Sequence, residues 1–226
     1  MNSILGVTVS GIALAISLST QAATVNSRII TDSTGSQLTQ QALFLYNSQD
    51  EDDKKTAYIM ANKALDYLST DYVAARLLGN MYYHGIGVKV DKEEALAKYI
   101  YAADNDAVSA FMAGNMYLNG DGVDRDFEYG VELVKQAADM GEPEAQFELA
   151  QQNYKQSKLE SVPAMKLQLE KSALHYATSC SKQKQPECMT ILADIFKAGL
   201  AGIPVSESSA NELYELAKQI KSAGLI

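Results

Sequence analysis

The stretch LLGNMYYHGIGVKVD, residues 77–91, recurs in nearly the same form as MAGNMYLNGDGVDRD at residues 112–126. Gly79 and Gly114 occupy the same place in the two copies and lie 35 residues apart. Self-similarity at a fixed period of about 20–50 residues is typical of repeat proteins, in which each copy forms one small structural unit. The spacing therefore predicts a stack of similar units.

Each copy has the pattern of a helix, a glycine turn and a second helix. The first helix carries small and apolar residues on one face: Ala74, Leu78, Gly79 and Tyr82. Gly85 and Gly87 follow, and glycine readily adopts the left-handed conformation that ends helices. Asp91 stands where the second helix needs an N-cap, and Glu94, three residues later, completes a capping box. The copy therefore predicts an antiparallel helical hairpin.

The glycine in the middle of the first helix has a steric explanation. A mid-helix glycine costs about 1 kcal/mol relative to alanine, yet it occurs at both Gly79 and Gly114. Two weaker copies further along the chain have Ala150 and Ala193 at this place. The small residue predicts that the second helix crosses the first too closely for a larger side chain.

The helical pattern extends over most of the chain, and no stretch alternates as a half-buried strand would. A solenoid is predicted over residues 71–226, with repeats at about 72–106, 107–142, 143–184 and 185–223. Residues 36–70 are predicted to form a degenerate capping hairpin. Because one hairpin cannot bury its apolar face alone, the predicted fold is all-α: a right-handed α/α superhelical solenoid of stacked hairpins.

The repeated residues resemble the Sel1-like repeat (SLR) family, which is related to the tetratricopeptide repeats. The family pattern is a small residue, Leu-Gly, Tyr, Gly-x-Gly-Val, Asp, Ala, an aromatic residue and Ala-Ala. The first copy matches it at Ala74, Leu78, Gly79, Tyr82, Gly85, Gly87, Val88, Asp91, Ala95, Tyr99, Ala102 and Ala103. The resemblance covers about residues 72–223. The third repeat departs most, because it lacks Gly-x-Gly and has Asn153 where Tyr is usual.

This resemblance implies that the first helix of each unit lines a concave face that binds a protein or peptide. Positions three before, one after and four after the Gly or Ala of the Leu-Gly pair are expected to point into the groove. The predicted binding residues are Arg76, Asn80, Tyr83, Phe111, Asn115, Leu118, Phe147, Gln151 and Tyr154. Their amides can bond an extended backbone while their rings receive its side chains. The alternative is that Phe111 and Phe147 pack between repeats.

The chain has two cysteines, Cys180 and Cys188. An even number in an exported protein favours a disulfide. Cysteine-rich bacterial SLR proteins, which this pair resembles, bridge adjacent helices with the same spacing. A redox-active or metal-binding pair is the alternative, but it would lack the CxxC spacing. A structural bridge is predicted.

The first 23 residues, MNSILGVTVSGIALAISLSTQAA, have the apolar run and small-residue exit of a secretory signal peptide. A transmembrane anchor is the alternative, but no basic stop-transfer cluster follows. Residues 24–35 are interpreted as a flexible leader. These features predict a periplasmic or secreted protein with no stable membrane insertion after signal cleavage.

Charge and chemistry narrow the function classes. The net charge is −9 and no basic stripe is apparent, which disfavours nucleic acid and anionic membrane surfaces as partners. His84 and His175 have no catalytic signature beside them, so no catalytic residue is predicted. A calcium loop at the second turn would use Asn119, Asp121 and Glu128, but the repeat pattern explains these residues without a metal. No metal and no cofactor are predicted.

Two functions follow. The first is a non-catalytic exported scaffold or adaptor that binds a protein or peptide partner. The alternative, implied by the resemblance to cysteine-rich SLR proteins, is an enzyme or binder of cell-wall or β-lactam ligands. Ser179 and Lys182 do have Ser-x-x-Lys spacing, but they lie at the predicted disulfide-linked turn rather than in a cleft.

Overall fold

The computed structural model describes residues 35–224, and these form ten α-helices without a β-strand. The prediction of an all-α fold is confirmed, whereas the predicted signal peptide and residues 24–34 of the leader lie outside the described residues. No helix between residues 35 and 224 is both long and apolar enough to cross a membrane. In chain order the helices are α1 Gly35–Tyr46, α2 Glu51–Tyr67, α3 Tyr72–His84, α4 Lys92–Ala102, α5 Ala107–Asn119, α6 Phe127–Asp139, α7 Pro143–Leu159, α8 Pro163–Lys182, α9 Pro186–Ala198 and α10 Glu207–Ser222.

The chain divides into two compact units, with the boundary between Val90 and Asp91. Helices α1–α3 belong to the first unit and α4–α10 to the second. The boundary falls inside the first predicted repeat, between its two helices.

In the first unit, α1 and α2 form a hairpin and α3 packs against both helices. Asp71 caps α3, because its carboxylate accepts a 3.0 Å bond from the backbone N–H of Ala74. The same carboxylate accepts a 2.6 Å bond from the Thr39 hydroxyl, which ties the start of α3 to α1. The core consists of Leu38, Ala42, Ala57, Met60, Ala61, Ala64, Ala74, Leu77, Leu78 and Met81.

In the second unit, α5–α6, α7–α8 and α9–α10 form hairpins, and each hairpin packs against the next. Its core is rich in alanine, which lets the helices approach closely. A Cβ atom on Gly114 would lie 2.9 Å from Val134 Cγ2 and 3.0 Å from the carbonyl oxygen of Gly130. Real Cβ atoms almost never come so near, so the predicted close crossing at Gly114 is confirmed.

The predicted caps are also confirmed. Gly85 ends α3 with φ 71° and ψ 37°, and Gly120 ends α5 with φ 69° and ψ 38°. Asp91 and Asp126 each accept a hydrogen bond from the backbone N–H three residues later. The Gly-x-Gly motif and the aspartate after it therefore build a turn with both helix ends satisfied.

The second glycine of each motif has a steric role. A Cβ atom on Gly87 would overlap the carbonyl of Lys54 at the start of α2 in the first unit. In the second unit, a Cβ atom on Gly122 would overlap Lys92 at the start of α4. An ion pair between Lys92 and Asp121 holds this second turn in place. Each turn thus abuts the first turn of an earlier helix, and only glycine leaves room for it.

Candidate functional site

The nine predicted binding residues lie on the first helices of the repeats, α3, α5 and α7. All nine are half-buried, which holds a side chain in place while leaving part of it accessible. The first unit contains Arg76, Asn80 and Tyr83, and the second contains Phe111, Asn115, Leu118, Phe147, Gln151 and Tyr154.

Within the second unit, the face of α7 that carries Gln151 and Tyr154 continues onto α9. The hydroxyl of Tyr154 donates a 3.2 Å hydrogen bond to the Asp194 carboxylate. Asp194 directly follows Ala193, just as Asn115 and Gln151 follow their small residues. The sequence prediction stopped after three repeats and missed this residue. The same positional rule applied to the fourth repeat gives Thr190, Asp194 and Lys197.

Asp194 is held by two tyrosines. Tyr214 of α10 also donates a hydrogen bond to its carboxylate. This bond, together with burial and the negative charge of Asp194, raises the pKa of Tyr214 to about 12. Burial is the main cause of the raised pKa of Tyr154. Both tyrosine hydroxyls therefore stay protonated at neutral pH and act as hydrogen-bond donors. The two bonds hold the Asp194 carboxylate in place on α9.

Further along α7, the face carries amides and cations. The Gln151 side-chain carbonyl accepts a 2.9 Å bond from Lys155 Nζ. Lys158 Nζ lies 3.9 Å from the centre of the Tyr154 ring, a cation–π contact. This end of the face therefore presents groups suited to hydrogen bonding and charge pairing.

The predicted disulfide is confirmed. Cys180, near the end of α8, is bonded to Cys188, near the start of α9, with their Cα atoms 5.9 Å apart. Both side chains are fully buried. The turn between them is also fastened to an earlier turn, because Gln183 Nε2 donates a 3.0 Å bond to the Gly141 carbonyl. The bridge therefore fixes the junction between the hairpins of the third and fourth repeats, α7–α8 and α9–α10, which we call the third and fourth hairpins.

The structure brings together three of the residues weighed for catalysis, Ser179, Lys182 and His175, on the surface of α8. His84 and His175 are exposed on α3 and α8. Ser179 and Lys182 line an open depression of about 320 Å³ on the surface of α8, together with His175. Within residues 35–224, no group of three or more His, Cys, Asp or Glu side chains is placed to hold a metal ion.

Comparison with known proteins agrees with the repeat geometry. The sequence profile of the Sel1 repeat matches residues 73–106, 107–142 and 186–219. A Sel1 repeat protein from Oxalobacter formigenes has a similar structure, with a TM-score of 0.54 and 22% identity over 85% of this chain and 54% of that one. A protective antigen of uropathogenic Escherichia coli with an SLR fold gives a TM-score of 0.50 and 16% identity, over 84% of this chain and 47% of the antigen. The chain thus spans about half the length of these two structures.

No curated protein matches the chain. The three profile matches show that the chain contains Sel1 repeats, as the sequence resemblance indicated, and the two similar structures share its fold. Repeats of this family typically mediate protein binding. The third hairpin lies in the gap between the matched stretches, at residues 143–185.

Proposed function

We propose that the chain is a non-catalytic, exported scaffold that binds a protein or peptide on the predicted concave face of its repeats. The observation that carries the proposal is the contact between Tyr154 and Asp194. This bond joins α7 and α9, the first helices of two neighbouring repeats. We call the side of the first helices that carries the predicted binding residues the first-helix face, and a peptide-binding surface requires that it continue from one repeat to the next.

The side chains on this face suit an extended polypeptide. Phe111 and Phe147 offer half-buried rings for apolar side chains, and Asn115 and Gln151 offer amides for the peptide backbone. Asp194 supplies a negative charge at one end, where a basic or amide group of the partner can bind.

Two features support the non-catalytic and exported parts of the proposal. Both cysteines are used in the disulfide, so neither is a free thiol nucleophile. Disulfides persist in oxidising compartments, which agrees with the signal peptide predicted at residues 1–23.

The test is affinity capture from a periplasmic extract of the source organism. We expect Phe111→Ala with Phe147→Ala to abolish capture of the partner while the melting temperature changes little. Lys135→Ala, on the exposed surface of α6, is the matched control and should leave capture intact. A large loss of stability in the double variant would instead show that the rings belong to the core. Undiminished capture would exclude this face.

A further inference from the structure

The third hairpin is longer than the other hairpins of the second unit. Helix α7 has 17 residues and α8 has 20, whereas α5, α6 and α9 have 13 each. At about 1.5 Å per residue, α7 gains roughly 6 Å and α8 roughly 10 Å. Residues 161–168 are all exposed, so the first turns of α8 are accessible to solvent. We call residues 159–168 the tip.

The tip exposes four apolar side chains beside the polar Ser161, Lys166 and Gln168. Leu159 is 86% exposed, Val162 48%, Met165 53% and Leu167 39%. These residues cluster within nine positions at one end of the hairpin. Exposed apolar groups this close together are typical of a surface that binds a partner.

Positive charge follows the tip along α8. Lys171 and Lys182 lie on one side of this helix, which we call its outer face, and Lys166 lies on another side; all three lysines are exposed. Its one acidic residue, Glu170, is 8% exposed, and its carboxylate accepts a 2.9 Å bond from the backbone N–H of Ala201. Glu170 therefore faces inward, and the outer face of α8 is cationic although the whole chain has a net charge of −9.

We propose that the tip and the outer face of α8 bind an anionic phospholipid surface. The apolar side chains insert between headgroups, and the lysines pair with lipid phosphates. A bilayer fits better than a protein, because Lys171 and Lys182 are about 16 Å apart along α8 and an extended anionic surface can contact both while it takes up the apolar side chains of the tip. The net charge of the whole chain disfavours an anionic membrane surface, but the local charge of α8 favours one. The proposal is independent of peptide binding on the first-helix face.

The test is co-sedimentation of the purified protein with vesicles of phosphatidylcholine alone or mixed with phosphatidylglycerol. We expect binding only to the mixed vesicles, with release at about 1 M salt, where the screening length falls to about 3 Å. Lys171→Gln with Lys182→Gln should weaken partitioning roughly 25-fold, or about fivefold per lysine. Leu159→Ser with Met165→Ser should abolish it.

The control variant is Phe44→Ser, which removes an 81% exposed aromatic ring from the first unit and should leave vesicle binding unchanged. Melting curves of all variants should coincide, since each substitution lies at the surface. The proposal is overturned if neither vesicle binds, if the two vesicle types bind equally, or if the tip variant still binds. Tip-dependent self-association or protein capture without vesicle binding would assign the tip to a protein and also overturn it.

Discussion

Hairpin α5–α6 crosses at two glycines, whereas hairpin α7–α8 is joined by a hydrogen bond between two polar side chains. In α5–α6, a Cβ atom on Gly130 would lie 2.8 Å from Leu118 Cγ and 3.0 Å from the carbonyl oxygen of Gly114. In α7–α8, Asn153 Nδ2 donates a 3.0 Å bond to Ser172 Oγ. The two hairpins therefore differ in the contacts beside their crossings, where α7–α8 adds a polar bond.

Asn153 stands where the second repeat has Tyr117. The residues at the crossing remain small in the third repeat, because Ala150 and Ala173, both fully buried, take the places of Gly114 and Gly130. The bond from Asn153 to Ser172 lies beside this crossing and adds a polar contact that α5–α6 lacks at Tyr117.

The hairpins also differ in how they turn. The Gly-x-Gly motif of α5–α6 is replaced by a short link, after which α8 begins at Pro163, a residue suited to the first helical position. The link lies within the exposed tip. Disulfide-bonded Cys180 fixes the other end of α8. The third hairpin therefore has longer helices, a shorter link and a covalent bridge in place of the glycine turn.

The largest effect is expected from Gly114→Leu. The new side chain would collide with Val134 and with the backbone at Gly130, so we expect a loss of roughly 3 kcal/mol or more in the free energy of unfolding. Urea denaturation measures it. Gln152→Leu adds the same side chain at an exposed position of α7 and should change stability by less than about 0.5 kcal/mol. An unchanged urea midpoint for Gly114→Leu would contradict the close crossing of α5 and α6 at this glycine.

Removal of the bridge comes next. Cys180→Ala with Cys188→Ala opens a loop of about nine residues, for which loop-closure entropy gives a loss of about 2.5–3 kcal/mol. Urea denaturation of this variant and of the oxidised parent gives the difference. Thiol labelling under denaturing, non-reducing conditions should find no free cysteine in the parent. Two labelled thiols in protein recovered from the periplasm would contradict the bridge.

The polar pair is tested by a double-mutant cycle. Asn153→Ala should cost about 1 kcal/mol, and Asn153→Ala with Ser172→Ala should cost less than the two single changes added together. The coupling energy measures the hydrogen bond directly. Strictly additive single-variant effects would mean that the pair does not hold α7 to α8.

At neutral pH the smallest effect is expected from ionisation of Tyr176 of α8, whose hydroxyl donates a 2.9 Å bond to Asp139 at the end of α6. Burial, and then the bond to Asp139 and its charge, raise the pKa of Tyr176 from 10.0 to about 12. As the pH rises, the Tyr176 hydroxyl therefore loses its proton at a lower pH in the unfolded chain than in the folded protein. The stability contributed by the neutral phenol is complete below pH 10 and is lost as the pH rises towards 12.

A spectrophotometric titration of tyrosinate checks this shift. Asp139→Asn should lower the pKa of Tyr176 but leave it above the ordinary value, because burial remains. Asp194→Asn is the matched control, since it acts on Tyr214 instead. If Asp139→Asn left the titration unchanged, the hydrogen bond between Tyr176 and Asp139 would not contribute to the raised pKa of Tyr176.

Local signals explain why so much of the fold could be predicted. Gly85, Gly120, Asp91 and Asp126 fix helix ends through backbone geometry within a few residues, and the structure has those ends as expected. The pairing of Cys180 with Cys188 was likewise predicted from short spacing and family resemblance.

Features that depend on distant contacts could not be predicted in this way. Asn153 and Ser172 are 19 residues apart, and nothing local to either one indicates a bond between them. Exposure of the tip depends on which helices lie beside it, which the helical period of α7 and α8 does not show. Asp194 could have been predicted from the sequence, because the positional rule used for the first three repeats also selects it in the fourth.

The most direct test of the proposed function is site-specific photo-crosslinking in the source organism. A photoreactive residue in place of Asn115, on the first-helix face, should capture one discrete polypeptide partner. The same residue in place of Lys135, on the exposed surface of α6, should capture none. Equal crosslinking from both positions, or none from position 115 when other sites of the chain do crosslink, would contradict binding on this face.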